Sequence, residues 1–185
     1  MFDQLTELVK QYGGDAIVNN PAVPNEQNEA VIKETSRSIF SGLKEMASEN
    51  NLDDLAGILS GKVPIDVNNS VVKNLSSKVS EHLEEKYYLS PQNASGITDN
   101  LLPQVLGGLI GNAQDPNQPE FNVQDIISSI SDGQGGGLMD LVSKYGGKLG
   151  LDQDGDGQVG MSDAVAAVTK KSGGLGGLLG KLFGK

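Results

Sequence analysis

Residues 26–48 read Glu26-Gln-Asn-Glu-Ala-Val-Ile-Lys-Glu-Thr-Ser-Arg-Ser-Ile-Phe-Ser-Gly-Leu-Lys-Glu-Met-Ala-Ser48, and their spacing decides the fold class. Val31, Thr35, Ile39, Leu43 and Met46 recur every three or four residues, which puts them on one stripe of a helix, while Glu, Lys, Arg and Ser occupy the other face. A run of this length with a single apolar stripe predicts a long amphipathic helix that docks one side on a core.

The same period continues outward in both directions. On the N-terminal side, Leu5, Leu8 and Val9 share a face of a helix expected over Phe2 to Tyr12, with Gly13-Gly14 as its stop. On the C-terminal side, Leu52 to Ser60 predicts a short helix closed by Gly61. Val71, Val72, Leu75, Val79 and Leu83 mark another, and Ser90-Pro91 supplies an N-cap followed by a first helical residue.

Leu101-Leu-Pro-Gln-Val-Leu-Gly-Gly-Leu-Ile-Gly111 is the most apolar stretch of the chain and is expected to be its central packing element, kinked or split at Pro103. Asn122 caps a further helix, and Gly133 to Gly137 reads as a flexible linker. No segment sustains a period-two alternation bounded by hairpin turns. The expectation is an all-α protein: a compact multi-helix domain over 1–132, a glycine-rich linker over 133–137, a helix–calcium loop–helix appendage over 138–171 and a Gly/Leu-rich tail over 172–185.

The metal loop is the strongest chemical motif. Asp152-Gln-Asp154-Gly-Asp156-Gly157-Gln158-Val159-Gly160-Met-Ser162-Asp163 sets acids at loop positions one, three, five and twelve of the EF-hand pattern. Clustered carboxylates repel one another unless a cation sits between them, and a hard cation needs several oxygens converging on one point. In register, Asp152, Asp154 and Asp156 offer carboxylates, Gln158 its backbone carbonyl, and Asp163 closes the set, with Gly157 at the sharp turn and Val159 as the apolar anchor.

Aspartate at position twelve, where glutamate is usual, is one methylene shorter, which predicts either a weaker Ca2+ site or one tilted towards six-coordinate Mg2+. With Ser162 before it, the loop resembles that of dockerin modules, which carry two such loops whereas this chain has one. The loop chemistry carries over from that resemblance, and the cohesin partner does not. The competing reading is a solvated Asp-Gly turn, with Ser162 as N-cap and Asp163 as a first-turn acid of the next helix. The embedded Gly155-x-Gly157-x-x-Gly160 is no dinucleotide loop, because no strand precedes it and Asp156 would repel a pyrophosphate.

Composition narrows the function classes. Asp+Glu 24 against Lys+Arg 14 gives a net charge of -10, which works against nucleic-acid binding and favours cations or basic partners. The absence of cysteine excludes disulfides, thiolate metal sites and a cysteine nucleophile. His82 is the lone histidine, placed among Glu81, Glu84 and Glu85, and reads as a surface residue rather than a general base. No serine has a base near it in sequence, so no catalytic constellation is expected. The N-terminus carries acids where a secretory signal has a basic patch, which predicts a cytoplasmic protein.

Two further patterns stand out. Leu5-Thr-Glu-Leu8-Val9-Lys-Gln-Tyr12-Gly13-Gly14 returns as Leu138-Met-Asp-Leu141-Val142-Ser-Lys-Tyr145-Gly146-Gly147, either a duplicated helical unit or two helices that end alike. In the tail, Leu175, Leu178, Leu179, Leu182 and Phe183 fall on one helical face with Lys181 and Lys185 elsewhere. That stripe suits docking on the core or a second subunit, or a membrane surface through residues 173–185.

Gly14-Asp-Ala-Ile-Val-Asn-Asn-Pro21, Leu101-Leu-Pro-Gln-Val-Leu-Gly-Gly-Leu109, the 133–137 glycines and the Leu-Gly-rich ending together resemble the YidB-like bacterial proteins, a family of unknown function. The resemblance spans most of the chain and implies a small all-helical fold with no catalytic residues to carry over. The functional expectation is therefore a non-catalytic calcium-binding structural or protein-interaction module, acting on a protein partner or on itself. The alternative is a metal-independent helical scaffold or oligomer whose tail self-associates or binds a membrane.

Overall fold

The structure, a computed structural model, describes residues 1–48, 52–115, 118, 122–133 and 135–146. Among them are seven α-helices and no strand: α1 (Phe2–Gly13), α2 (Asn28–Ser48), α3 (Leu52–Leu59), α4 (Ser70–Tyr87), α5 (Pro91–Ala113), α6 (Val123–Ile130) and α7 (Gly136–Gly146). The fold is all-α. No helix among the described residues is long and apolar enough to cross a membrane.

The stripe that opened the sequence is the inner face of α2: Val31, Thr35, Ile39, Leu43 and Met46 are all buried. This helix lies against α1, α4 and α6. A Cβ built at Gly42 would collide with Leu75 of α4, so glycine there lets the two helices approach closely. They run antiparallel, since Glu34 pairs with Lys86, Ser38 with His82 and Glu45 with Lys78. The Thr35 hydroxyl is buried without a hydrogen-bond partner.

α5 is the centre of the bundle, as its apolar sequence implies, and packs against α1, α4 and α6. Leu101, Leu102, Val105, Leu106 and Leu109 are almost fully buried. Pro103 does not split it, and one helix runs the full 23 residues. Pro103 itself is only partly buried. The carbonyl that Pro103 leaves without a helix donor belongs to Asp99, an exposed residue, so the missing bond falls on the outer side of the helix.

Helix ends follow local chemistry. Asn69 caps α4 by accepting from Val71 N and Val72 N, Ser90 caps α5 by accepting from Asn93 N, and Asn122 with Asp125 forms a reciprocal capping box on α6. α3 closes in a Schellman turn, with Gly61 N bonded to Ile58 O, Lys62 N bonded to Gly57 O and Gly61 at φ 67°.

Three expected boundaries differ. Gly13-Gly14 does not stop the first helix: Gly14 keeps right-handed geometry and the chain continues through a π turn over Gly14–Val18. α2 begins at Asn28, two residues later than expected, because Asn25–Gln27 forms a 3-10 turn. The glycines after 133 are not a free linker, since Gly136 and Gly137 form the first turn of α7. Gly135 is closed in by Ile127 and Ser131.

α4 ends at Tyr88, which is 91% exposed and held at φ 55°. A left-handed conformation costs a residue with a Cβ about 1–2 kcal/mol, and glycine escapes most of that. Tyr88→Gly is therefore expected to raise the urea midpoint, by a net gain of about 0.5–1 kcal/mol after the added freedom of the unfolded chain. A lowered midpoint would mean that the tyrosine ring contributes more than its backbone costs.

Candidate functional site

The expected metal ligands Asp152, Asp154, Asp156, Gln158 and Asp163 lie outside the described residues, as do the helix expected after them and the tail. What is described is the helix that leads into the loop. α7 buries Leu138 and Val142 in the common core and half-buries Met139, Leu141 and Tyr145. It packs on α3 and α6.

Its C-terminal end is tied down by polar contacts. Tyr145 Oη donates to Asp53 Oδ1, in the first turn of α3, at 2.7 Å. Lys62, just past the other end of α3, holds its ammonium 4.3 Å from the Tyr145 ring centroid. One aromatic side chain is thus gripped from both ends of α3. Those partners stand 92 and 83 positions away in sequence, reckoned from residue numbers, and spacing along the chain gave no sign of them.

The Asp53 carboxylate raises the Tyr145 phenol above its ordinary value, chiefly through that hydrogen bond, with burial next. Burial, then the nearby Glu34 charge, raises Tyr87 as well. A phenol raised in the folded state contributes stability that is whole below its unfolded pKa, about 10, and is lost as pH climbs through the folded value. An ultraviolet titration of the four tyrosines should show part of the ionisation displaced to higher pH. Asp53→Asn should shift one phenol back, and an unchanged curve would remove the Tyr145–Asp53 bond from solution.

The α2–α4 seam brings together a second polar group that was not legible in the sequence. Glu34 is nearly buried, accepts from Lys86 Nζ at 2.5 Å and pairs with Arg37 at 3.4 Å. One helical turn on, Ser38 Oγ lies 2.7 Å from His82 Nδ1. Glu34, His82, Glu85 and Lys86 line an open depression of about 350 Å³.

A Ser–His contact raises the question of a nucleophile, and the geometry answers it. Ser38 is 3% exposed in the middle of α2, where backbone N–H groups are committed to the helix ladder, so no oxyanion donors face its hydroxyl. The pair ties α2 to α4. Among the described residues, no three His, Asp or Glu side chains converge as a metal site.

Comparison with known proteins returned no match to a protein-family model, none to a curated protein and none to a solved structure.

Proposed function

We propose that the protein is a non-catalytic, calcium-binding interaction module, in which the 152–163 loop acts as a clip on an all-helical body. The observation that carries this reading is the anchoring of α7 by Tyr145, Asp53 and Lys62. Asp152 follows Gly146 by six positions, so at most roughly 20 Å of extended chain separates the rooted helix end from the first carboxylate. A cation drawn to the acids would pull on a fixed point and not on a free end.

The donor set consists wholly of oxygens, with three aspartates in alternation, a backbone carbonyl and a fourth aspartate, which suits a hard divalent cation. When bound, the ion would offset carboxylate repulsion and hold the residues after the loop in one orientation. The resemblance to YidB-like proteins implies a helical body and supplies no catalytic residues to carry over. In a cytoplasmic setting, where free calcium is scarce, Mg2+ would compete for the loop.

The reading is tested by affinity capture of partners from cell extract, with Ca2+ and with chelator, using the full chain and its Asp154→Ala variant. A partner, or a second copy of the chain, retained only by the calcium-loaded wild type is the expected result. Identical capture in all four arms would favour the metal-independent scaffold.

A further inference from the structure

The end of α1 meets α5 at Gly108. A Cβ built on that glycine would stand 2.9 Å from Tyr12 Cε2 and 3.1 Å from Tyr12 Oη, so glycine lets the phenol lie against the helix backbone. Beside it the π turn Gly14–Val18 carries Asp15 and Ala16, and from α5 come Asn100 and Gln104. Together these residues line a cleft of about 320 Å³. Such π turns recur at functional sites.

The charge in the cleft is one-sided: Asp15 is the sole ionisable carboxylate among its lining residues and no basic side chain joins it. Asn100 and Gln104 each commit an amide N–H to a helix carbonyl, and Asp15 Oδ1 accepts from Asn19 Nδ2 at 3.0 Å. The second Asp15 oxygen, the two amide carbonyls and one further N–H on each amide are left beside an aromatic ring, with no Lys or Arg in the lining. A carboxylate without a basic neighbour in the lining, set beside a tyrosine, is suited to a positively charged donor. An alkylammonium has three donors, no acceptor and an affinity for ring faces.

The molecule already uses this chemistry once. Tyr12 and Tyr145 are counterparts in the repeated ten-residue segment, and at Tyr145 the ring holds the Lys62 ammonium while its hydroxyl bonds Asp53. At Tyr12, the tyrosine and an aspartate face an open cleft. We infer that the Tyr12–Asp15 cleft binds an alkylammonium group, carried by a free diamine or by a lysine side chain of another protein.

The test is an amide NMR titration of the full chain with 1,5-diaminopentane, Nα-acetyl-lysine amide and, as the uncharged control, 1,5-pentanediol. Both amines should shift residues 12–16 and 100–104 at concentrations below about 10 mM, and the diol should not. Asp15→Asn, a change at an exposed residue, should weaken amine binding about tenfold, and Asp53→Asn should leave it unchanged. Tighter binding of the diamine points to a free polyamine-type ligand, and tighter binding of the lysine amide to a protein side chain. Equal shifts from the diol, full affinity in Asp15→Asn, or no localised shift at about 10 mM would overturn the site.

Discussion

Leu101→Ala is expected to cost the folded state about 2–5 kcal/mol, the range for emptying a leucine site in a core that relaxes only in part. Leu101 is fully buried on α5, the helix that touches α1, α4 and α6 at once. A void there forfeits contacts with several elements, and no single neighbouring helix can shift to fill it without opening another seam. Since small domains are stable by only about 5–15 kcal/mol, the loss should be evident as a large drop in urea midpoint with little change in slope. A loss below about 1 kcal/mol would mean that α5 is not the centre of packing.

The double variant Arg37→Met/Lys86→Met is expected to lose about 3 kcal/mol at neutral pH, while Glu34→Gln should lose about 1 kcal/mol or less. The asymmetry follows from where the charges sit. The Glu34 side chain is 10% exposed, whereas Arg37 and Lys86 are 64% and 53% exposed. Removing the carboxylate leaves two cations that water can solvate. Removing both cations leaves a carboxylate that water reaches poorly, and its desolvation is no longer offset. Equal losses in the two variants, measured by thermal or urea denaturation, would contradict the burial of Glu34.

Where the sequence could be read, periodicity was the reason. The α2 stripe, the α5 run, the Asn69, Ser90 and Asn122 caps and the Gly61 stop are all local signals, and local rules govern them. The differences at Gly14, Pro103 and Gly136–Gly137 have one physical origin, since glycine and proline permit a break without requiring one. Gly14 stayed right-handed because a π turn could continue the chain into buried Ile17, and Gly136–Gly137 became helical because Leu138 and Val142 had a core to enter. Pro103 is only partly buried on α5, and Asp99, whose carbonyl loses its helix donor, is exposed.

Long-range pairs could not be read at all. Ser38 and His82 are 44 positions apart and Tyr145 and Asp53 are 92 apart, and nothing in composition or spacing joins them. The proposed calcium loop is the reverse case. Its proposed ligands Asp152, Asp154, Asp156, Gln158 and Asp163 are suggested by spacing alone, because an EF-hand loop supplies nearly all donors from twelve consecutive residues. They lie outside the described residues, so the metal proposal rests on donor chemistry and on the anchored helix that leads to them.

The most direct measurement is a calorimetric titration of the full chain with Ca2+, repeated with Mg2+ and with the Asp154→Ala variant. The result expected is a saturable heat with one ion per chain that disappears in the variant. No measurable Ca2+ heat at about millimolar concentrations, the weak end of such loops, or an identical profile in Asp154→Ala, would contradict the calcium clip.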